Sequence, residues 1–333
     1  MCGIWACILN STKDKLGLDT KLKLYNSFSK LKHRGPDSSA FKMYDEVCFL
    51  GFHRLSINGM SKYADQPMNI NIYSHLHMIC NGEIYNHVDV AKRFGISCTT
   101  GSDCEIILHL FYKFGIERTC ELLDGVFAFT IYDDILQTLF IGRDPIGVRP
   151  LFVGMTKDMT IFSSEGKGLN DIVENYDQFF PGHYGIKERN KELQQYAFYK
   201  QFKSGSCIDK EEIMMEKTMD LLKKAVEKRL MSDRQIGCLL SGGFDSSLIT
   251  ALVAAHFPPM TVRTFAIGLE DSEDLKYAKI AATSLKTVHT EIVVTEQEML
   301  DAIEPTIKQI ESYDTTTVRA SVPMYLLSLW IKN

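Results

Sequence analysis

The sequence opens with Met1-Cys2-Gly3-Ile4-Trp5, and the first half of the chain is organised around this stretch. Cysteine is small enough for the initiator methionine to be removed, which would leave Cys2 as the N-terminal residue. It would then carry a thiol nucleophile and a free α-amine, whose reference pKa of about 7.7–8.0 suits a general base. A nucleophile activated by its own amine is a known form of covalent catalysis. The alternative is an ordinary buried thiol, so later motifs must decide.

Length, composition and charge narrow the class of protein. The chain has 333 residues, 45% of them hydrophobic and 24% charged, which predicts two globular domains. A net charge of -5 argues against nucleic acid as the main partner, because phosphate binding needs clustered Lys and Arg. Nine cysteines without a Cys-x-x-Cys pair predict neither a disulfide framework nor a zinc site. With no signal peptide or membrane-spanning run in the sequence, we expect no membrane association and a reducing cytosolic location.

The first part of the chain alternates strand and helix patterns. Cys2 to Leu9 is typical of a buried strand, and apolar spacing predicts a helix over Leu18–Leu31. His33-Arg34-Gly35-Pro36-Asp37 then has strong turn chemistry. Gly51 to Ile57 predicts a strand that runs into a loop. Arg54 at its end could hold a carboxylate through two parallel, charge-assisted hydrogen bonds, or could equally be a surface arginine.

Two later motifs supply further candidate groups. Asn81-Gly82-Glu83-Ile84-Tyr85-Asn86 follows a strand-like run. The Asn81 amide and the Gly82 N–H could hold the oxyanion of a tetrahedral intermediate, and Glu83 could recognise an ammonium. Asn-Gly is also a hairpin signal, and both interpretations can hold together.

In Gly101-Ser102-Asp103-Cys104-Glu105, Ser102 and Glu105 predict a helical capping box, which leaves Asp103 for a substrate ammonium. Val126–Asp133 and Thr138–Asp144 then predict a hairpin of core strands, and strands to about Gly185 complete the unit.

Several motifs, in this order, resemble those of the class II glutamine amidotransferases. They are Cys2-Gly3-Ile4, Arg34-Gly35-Pro36-Asp37, Arg54-Leu55-Ser56-Ile57, Asn81-Gly82-Glu83-Ile84-Tyr85-Asn86 and Gly142-Arg143-Asp144-Pro145-Ile146-Gly147. The His-Arg-Leu-Ser-Ile form of the arginine motif is similar to the asparagine synthetase branch. The sugar-phosphate and purine-pathway members differ there. The resemblance spans nearly the whole first half of the chain.

The resemblance implies a fold and a site. Over residues 2–190 the implied fold is a four-layer αββα sandwich of two mainly antiparallel sheets, of the N-terminal-nucleophile type. Cys2 would attack the side-chain amide of glutamine, with Asn81 and Gly82 as the oxyanion hole. The implied glutamine-binding residues are Arg54 for the α-carboxylate, Glu83 and Asp103 for the α-ammonium, and Leu55, Ser56, Ile57, Asn58, Asn81 and Gly82 around the rest of the pocket.

A second domain is predicted over residues 210–333, after a linker over residues 191–209. The stretch Tyr196–Ser206 is polar and contains Gly205, as expected of a linker. The helix that follows carries an apolar seam predicted to be core, formed by Met215, Met219, Leu222 and Val226.

A glycine-rich loop dominates this second domain. Ile236–Leu240 is typical of a buried parallel strand, and it leads into Ser241-Gly242-Gly243-Phe244-Asp245-Ser246-Ser247 and a helix to about Phe257. Such a loop at a helix N-terminus creates an anion site, although it is not a Walker A loop. It resembles the Ser-Gly-Gly-x-Asp-Ser loop of ATP pyrophosphatases, which release pyrophosphate and leave an acyl-adenylate. Phe244 stands where the synthetases usually have Leu.

The resemblance implies ATP as a co-substrate, with Mg²⁺, on a partial doubly wound parallel sheet. Thr264–Gly268 and Thr290–Val294 supply two further strands. The implied ATP-binding residues are Leu239, Ser241, Gly242, Gly243, Asp245, Ser246 and Ile267, with Asp245 near the Mg²⁺–pyrophosphate. Leu239 and Ile267 are equally compatible with plain strand core. Thr316, Thr317 and Arg319 are implied, less directly, at an aspartate or adenylate site. No metal ligands are expected in the protein itself.

Three functions remain open at this stage. The first is glutamine-dependent asparagine synthesis, in which ammonia from glutamine aminates β-aspartyl-AMP made from aspartate and ATP. The second is a glutaminase that donates ammonia to a partner, and the third is a non-catalytic remnant. The sequence ends at Asn333, near an apolar helix over Val322–Ile331, where the family continues. We therefore expect a truncated synthetase domain, and a homodimer or a partner chain that completes it.

Overall fold

The structure is a computed structural model that describes residues 1–10, 16–199 and 210–332. The chain divides into two compact units, Met1–Gly205 and Ser206–Asn333. The boundary between them falls in residues 200–209, outside the described residues, so the predicted domain limits stay a prediction.

The described part of the first unit forms two sheets and three α-helices. Its strands in chain order are β1 (Gly3–Leu9), β2 (Ser38–Tyr44), β3 (Cys48–Arg54), β4 (Leu76–Ile84), β5 (Gly125–Asp133), β6 (Thr138–Arg143), β7 (Phe152–Met155), β8 (Met159–Ser163), β9 (Tyr176–Gln178), β10 (His183–Glu188) and β11 (Gln194–Ala197). Its helices are α1 (Leu18–Ser29), α2 (His87–Phe94) and α3 (Glu105–Leu122). The sheet orders are β2-β3-β1-β8-β7-β9 and β11-β10-β6-β5-β4, with antiparallel neighbours throughout.

Three buried clusters show that these elements form four layers. Side chains alternate between the faces of a strand, so β1 contributes to two cores. Trp5, Cys7 and Leu9 pack with α1, whereas Ile4, Ala6 and Ile8 pack with residues of the second sheet. A third cluster joins the other face of that sheet to α2 and α3. The layers are therefore helix, sheet, sheet and helix, which confirms the αββα prediction and explains why β1 is apolar along its whole length.

Two local predictions in this unit are wrong. Asn81-Gly82 is not a hairpin turn, because both residues lie inside β4, opposite Ala128 and Phe127 of β5. Glycine is required there for close approach: a Cβ on Gly82 would lie 2.7 Å from the carbonyl oxygen of Val126.

The capping box is also absent from its predicted place. Helix α3 begins only at Glu105, and its N-cap is Cys104, without a side-chain hydrogen bond. The Glu105 carboxylate instead accepts hydrogen bonds from the N–H groups of Thr99 and Thr100, at 2.9 and 2.7 Å. The Ser102 hydroxyl accepts one from Cys104 at 3.3 Å.

The predicted linker over residues 191–209 overlaps a strand. Gln194–Ala197 pair with β10 at the edge of the second sheet, so this part belongs to the first unit. Residues 200–209 of the predicted linker lie outside the described residues.

The second unit places helices on both faces of a parallel sheet. Its elements are α4 (Glu211–Glu227), β12 (Gly237–Leu239), α5 (Phe244–Ala254), β13 (Arg263–Gly268), α6 (Glu273–Leu285), β14 (Val288–Val293), α7 (Glu296–Asp301), α8 (Ile303–Ile310) and α9 (Thr315–Lys332). The strands are parallel in the order β12-β13-β14. Ala266 packs with α6, whereas Phe265 and Ile267 pack on the side of α9. This arrangement confirms the partial doubly wound sheet.

The apolar seam predicted on α4 is mostly wrong. Met215 and Met219 are exposed, and among the described residues of the helix only Val226 is fully buried. Val226 packs with Cys238 and Val253, so the core of this unit reaches only the last turn of α4. Within the described ranges, none of the helices is both long and apolar enough to cross a bilayer.

Candidate functional site

A pocket in the first unit brings the predicted glutamine-site residues together. It is lined by Met1, Cys2, Phe52, Arg54, Leu55, Ser56, Ile57, Asn58, Gln66, Cys80, Asn81, Gly82, Glu83, Ser102, Asp103, Cys104 and Arg149. Cys2 and every residue predicted to bind glutamine are in this set. They come from the start of β1, the loop after β3, the edge strand β4 and the loop before α3.

The Cys2 thiol is held against the backbone of Leu55. Its sulfur accepts a hydrogen bond from the Leu55 N–H at 3.4 Å and lies 3.5 Å from the Leu55 carbonyl oxygen. Burial raises the pKa of the Cys2 thiol, and the Leu55 N–H only partly opposes this effect. The resting sulfur therefore favours the neutral thiol, and a base is needed to activate it.

The backbone of Cys2 is fixed by a buried ion pair. Nε of Arg34 donates to the Cys2 carbonyl at 2.9 Å, and Nη1 of Arg34 donates to Glu165 at 2.7 Å. His33 and Lys167 also contact the Glu165 carboxylate, at 3.0 and 3.1 Å. The Arg34-Gly35-Pro36-Asp37 motif thus contributes a side chain that fixes the position of Cys2.

The edge of β4 supplies backbone donors. In an antiparallel edge strand, alternate residues turn their N–H and C=O groups away from the neighbouring strand. Three of these N–H groups donate to a neighbour outside the sheet ladder: Met78 to Met68 (2.9 Å), Cys80 to Gln66 Oε1 (2.5 Å) and Ile84 to Asp103 Oδ2 (2.7 Å). Gly82 lies two residues from both Cys80 and Ile84 along β4, so its N–H also points away from β5. Gly82 lines the pocket at this edge of the sheet.

Asn81 presents the other donor. Its side chain lies on the opposite face of β4 from Cys80, and the residue is 1% exposed. Within the described residues, its buried Nδ2 has no hydrogen-bond partner. Because an unsatisfied buried donor costs free energy, a native protein tends to keep one where a ligand will use it.

Arg54 is held by the loop that follows it. Nη1 donates to Asp65 at 2.6 Å and to the Ser61 carbonyl at 3.0 Å, and Nη2 donates to the Gly59 carbonyl. A guanidinium carries five N–H groups, so these bonds leave donors on Nε and Nη2. The side chain is thereby fixed in place, with capacity for a carboxylate.

Two carboxylates lie on another side of the pocket. Asp103 is 4% exposed and accepts the hydrogen bond from Ile84. Burial raises the pKa of Asp103, since it penalises the carboxylate, and an ammonium group beside it would reverse that effect. Glu83 is already paired, because Nη2 of Arg149 donates to it at 2.7 Å.

The sequence interpretation missed Arg149, Gln66 and Asp65. Arg149 follows a turn built by Asp144, whose carboxylate accepts the N–H groups of Gly147 and Arg149 at 2.7 and 3.0 Å. The signal for Arg149 in the sequence was a cationic residue two positions after the Gly142–Gly147 motif. Gln66 and Asp65 had no comparable signal, since their roles come from contacts with Cys80 and Arg54.

The segment Ser241–Ser247, predicted to be a loop, is a short connection from β12 followed by the first turn of α5, which begins at Phe244. Gly242 has a positive φ of 80°, and a Cβ there would lie 2.4 Å from the backbone of Tyr277 and Ala278. Ser241 and Ser246 place their hydroxyl oxygens 3.1 Å apart, and Gly243 is the N-cap of α5. Backbone N–H groups at such a helix start suit phosphate oxygens.

The other residues predicted for the second unit lie around this loop or on a separate helix. Leu239 ends β12 and is exposed, and Ile267 lies on the adjacent β13. Thr316, Thr317 and Arg319 lie in the first turns of α9, where Asp314 accepts a hydrogen bond from the Thr317 N–H at 2.8 Å. Arg319 lines a pocket with Leu269 and Glu296.

Comparison with known proteins matches two families, which meet between residues 216 and 217, inside α4. Residues 1–216 match the glutamine amidotransferase domain family, and residues 217–333 match the asparagine synthase family. The asparagine synthetases [glutamine-hydrolyzing] of Rattus norvegicus and Homo sapiens are each 39% identical to the chain. The match covers 100% of this chain and 63% of each relative, so the chain spans less than two thirds of their length.

A solved structure supports the fold. The glutamine phosphoribosylpyrophosphate amidotransferase from B. subtilis gives a TM-score of 0.51 at 17% identity, covering 90% of this chain and 70% of that one. At this identity the likeness concerns the fold alone. The match over residues 1–216 spans more than half of the sequence. The chain therefore belongs to the glutamine amidotransferase domain family.

Proposed function

We propose that this chain hydrolyses glutamine at Cys2 and directs the ammonia to an ATP-dependent synthesis of asparagine from aspartate. The observation that carries the proposal is the single pocket that collects the Cys2 thiol, the Asn81 amide, the Gly82 N–H, the Arg54 guanidinium and the Asp103 carboxylate. These are a nucleophile, two oxyanion donors and groups of opposite charge for the two ends of an amino acid. The match to asparagine synthetases supports the second half of the reaction.

Glutamine hydrolysis follows from these groups. The Cys2 sulfur attacks the side-chain carbonyl carbon, and the negative charge that develops on oxygen is stabilised by Asn81 Nδ2 and the Gly82 N–H. The C–N bond then breaks, and the leaving nitrogen takes a proton to depart as ammonia. Water hydrolyses the resulting thioester, which gives glutamate and frees Cys2. The unpartnered state of Asn81 Nδ2 supports this role, because its partner would form only as the oxyanion develops.

The base for this chemistry would be the α-amine of Cys2 after removal of Met1. The surroundings already lower the pKa of the Met1 amine in the chain that retains Met1. Burial lowers this pKa, and the charges of Arg34 and Arg149 lower it further. An amine kept neutral can take the thiol proton, which the raised thiol pKa makes necessary. Arg54 and Asp103 would orient the substrate by its α-carboxylate and α-ammonium, and Glu83 would assist while it holds Arg149.

ATP would bind at the Ser241–Ser247 segment. Aspartate would be activated there as β-aspartyl-AMP, with release of pyrophosphate. The backbone N–H groups at the start of α5 suit the phosphates, and Leu239 and Ile267 would contact the adenosine. Asp245 offers an exposed carboxylate in the first turn of α5, the ligand type that Mg²⁺ takes beside phosphate oxygens. Bound Mg²⁺ would neutralise phosphate charge. Thr316, Thr317 and Arg319 are proposed, with less direct support, for aspartate or the adenylate.

We further propose that the chain works in a reducing compartment such as the cytoplasm, as a homodimer or with a partner chain that completes the synthetase domain. The free thiol of Cys2 supports a reducing compartment. A narrower function, glutamine hydrolysis with ammonia donated to a partner, is supported because the amidotransferase match and the whole pocket lie within residues 1–216.

One assay tests these functions. The purified chain, with removal of Met1 confirmed by mass spectrometry, is incubated with glutamine, aspartate, ATP and Mg²⁺. Glutamate, pyrophosphate and asparagine are then measured separately. All three products are expected. Glutamate without pyrophosphate would reduce the function to ammonia donation, and no glutamate at all would refute the amidotransferase proposal.

The matched control is Cys2→Ala. It should stop glutamate formation, because no nucleophile remains, yet keep pyrophosphate release when ammonium replaces glutamine. Loss of both reactions in a folded Cys2→Ala chain would contradict the assignment of two separate chemistries.

A further inference from the structure

A group of three side chains outside the glutamine pocket has the composition of a metal site. Cys98, Glu105 and His109 place a thiol sulfur, a carboxylate oxygen and a ring nitrogen within 4.8 Å of one another. Glu105 and His109 are one turn apart on α3, whereas Cys98 comes from the loop before it. The cysteine spacing in the sequence gave no sign of such a site, since the fold of the loop brings Cys98 back to the helix.

The group combines rigidity with access. Glu105 is 0% exposed and His109 is 6% exposed, whereas Cys98 is exposed to solvent. The Glu105 oxygens are fixed by N–H groups of Thr99 and Thr100 at 2.7–2.9 Å. Glu105 and His109 are therefore held in position before an ion binds, and Cys98 is reached from solvent.

His109 has an outer contact of the kind that fixes a metal-binding ring. Its Nδ1 lies 3.4 Å from the Tyr73 hydroxyl, and its Nε2 lies 3.3 Å from Glu105 Oε1. With the proton on Nδ1, the Nε2 lone pair points towards the carboxylate and is available to a cation. Without an ion, a proton on Nε2 can donate to Glu105 Oε1 at 3.3 Å. An ion between Nε2 and Oε1 would replace this hydrogen bond with two coordinate bonds, and the ring proton would then be on Nδ1, where the Tyr73 hydroxyl can accept it.

We propose that Cys98, Glu105 and His109 bind a thiophilic divalent cation, with Zn²⁺ as the best fit. Zinc takes sulfur, nitrogen and oxygen ligands at about 2.0–2.3 Å, which sets tetrahedral ligands roughly 3.4–3.6 Å apart. His109 Nε2 and Glu105 Oε1 are already 3.3 Å apart, and the Cys98 sulfur lies within 4.8 Å of its partners. The exposed Cys98 side chain therefore has to move closer by no more than about an ångström. Binding releases the Cys98 thiol proton to solvent, and water completes the fourth position.

The site would brace the loop between Cys98 and Glu105. That loop carries Ser102 and Asp103, both of which line the glutamine pocket. Bound zinc would join the start of the loop to α3, and the amides of residues 99–104 should then exchange more slowly with solvent.

The test is zinc binding by the full chain. The protein is stripped with a chelator and titrated with Zn²⁺ against a chromogenic zinc indicator. One equivalent should bind, and Cys98→Ser should bind at least about tenfold more weakly, since losing even an outer-shell partner costs about 10–100-fold. Cys98 is exposed, so this variant should fold, and circular dichroism checks that it does. Cys98→Asp, which restores an anionic ligand, should recover part of the affinity.

Two matched variants separate this site from other thiols. Cys2→Ala removes the pocket thiol, and Cys207→Ser removes a cysteine outside the described residues. Both should keep the affinity for zinc. With Co²⁺ as a probe, wild type, Cys2→Ala and Cys207→Ser should show thiolate-to-cobalt charge-transfer absorption, and Cys98→Ser should not. Equal zinc affinity in wild type and Cys98→Ser, or a cobalt–thiolate band that survives Cys98→Ser, would overturn the proposal.

Discussion

The pocket that contains Cys2 and the Ser241–Ser247 segment hold their polar groups in place by different means. In the pocket, buried side chains are held by groups from other parts of the chain: Arg54 by Asp65, and Asp103 by the Ile84 N–H. In the loop, the polar contacts are between neighbours such as Ser241 and Ser246, and Phe244 is 82% exposed. The pocket is organised by tertiary contacts across the chain, whereas the loop is organised by its own backbone and by close packing at Gly242.

This difference suits the two chemistries proposed. An oxyanion is stabilised best by donors fixed before the reaction and shielded from water. A phosphate can be bound by backbone N–H groups and the helix dipole, so a loop needs no buried side chain to receive it. Substitutions in the pocket should therefore change catalysis more than stability, and those in the loop should change local stability first.

The largest expected effect is that of Asn81→Ala in the pocket. Losing one oxyanion donor should lower kcat for glutamate formation by about 10²–10³-fold, with little change in KM. The Asn81 amide nitrogen has no partner among the described residues, so its removal should cost little stability. Steady-state kinetics and a thermal unfolding curve of the same preparation give both values.

Asn86→Ala is the matched control for Asn81→Ala. Asn86 accepts a hydrogen bond from the Asp124 N–H and donates one to Leu122, and it does not line the pocket. This variant should lose stability but keep kcat. If Asn81→Ala and Asn86→Ala lowered kcat equally, Asn81 would act through folding and not on the oxyanion.

Gly242→Ala tests the loop. At a φ of 80°, alanine costs about 1–2 kcal/mol, and the new Cβ would lie 2.4 Å from the backbone of α6, which adds to the cost. We expect about 2–4 kcal/mol lower stability for the second unit. Hydrogen exchange of the α5 and β12 amides should become faster, whereas that of β1 and β4 should not change.

Gly243→Ala separates backbone strain from the mere addition of a methyl group. Gly243 has a φ of -70°, and the nearest atom to its new Cβ would be Ser241 Oγ at 3.5 Å. Its stability should stay within about 0.5 kcal/mol of wild type. Equal destabilisation by both variants would mean that the loop is not organised by the left-handed conformation of Gly242.

The sequence predicted the parts of each region that depend on local order. Strand β1, the helix that begins at Leu18 and the parallel strands of the second unit follow from periodicity, and they are confirmed. The helix predicted to extend to Leu31 ends at Ser29. Every residue predicted to bind glutamine lines the pocket that contains Cys2, and the roles of these residues stay predictions. Asn81-Gly82 misled as a turn because its conformation is set by pairing with β5, which lies far along the chain. Arg149, Gln66 and Asp65 were missed for the same reason: their roles exist only once distant segments meet.

The smallest effect concerns Glu165, which lies behind the pocket and fixes Arg34 and so Cys2. Burial alone would raise the pKa of Glu165, but hydrogen bonds from His33 and Arg34 and the charge of Arg34 outweigh it and lower the pKa to about 2. An unfolded glutamate has a pKa of about 4.3, so the folded state prefers the carboxylate. The stability that this preference contributes is present above about pH 4.3 and is lost as the pH falls towards 2.

Glu165→Gln should therefore lower the free energy of unfolding by about 1–3 kcal/mol at neutral pH, and the difference from wild type should shrink as the pH falls from about 5 to 2. Glu105, whose pKa is also lowered to about 2, titrates in both proteins and cancels from the difference. Urea unfolding can be followed by the fluorescence of the buried Trp5, with Trp330→Phe as the common background. If the free energies of unfolding of the two proteins fell in parallel as the pH was lowered, the Glu165–Arg34 ion pair would not stabilise the residues behind the pocket. If the two free energies of unfolding became equal at low pH, the pocket, unlike the loop, would depend on charges buried behind it.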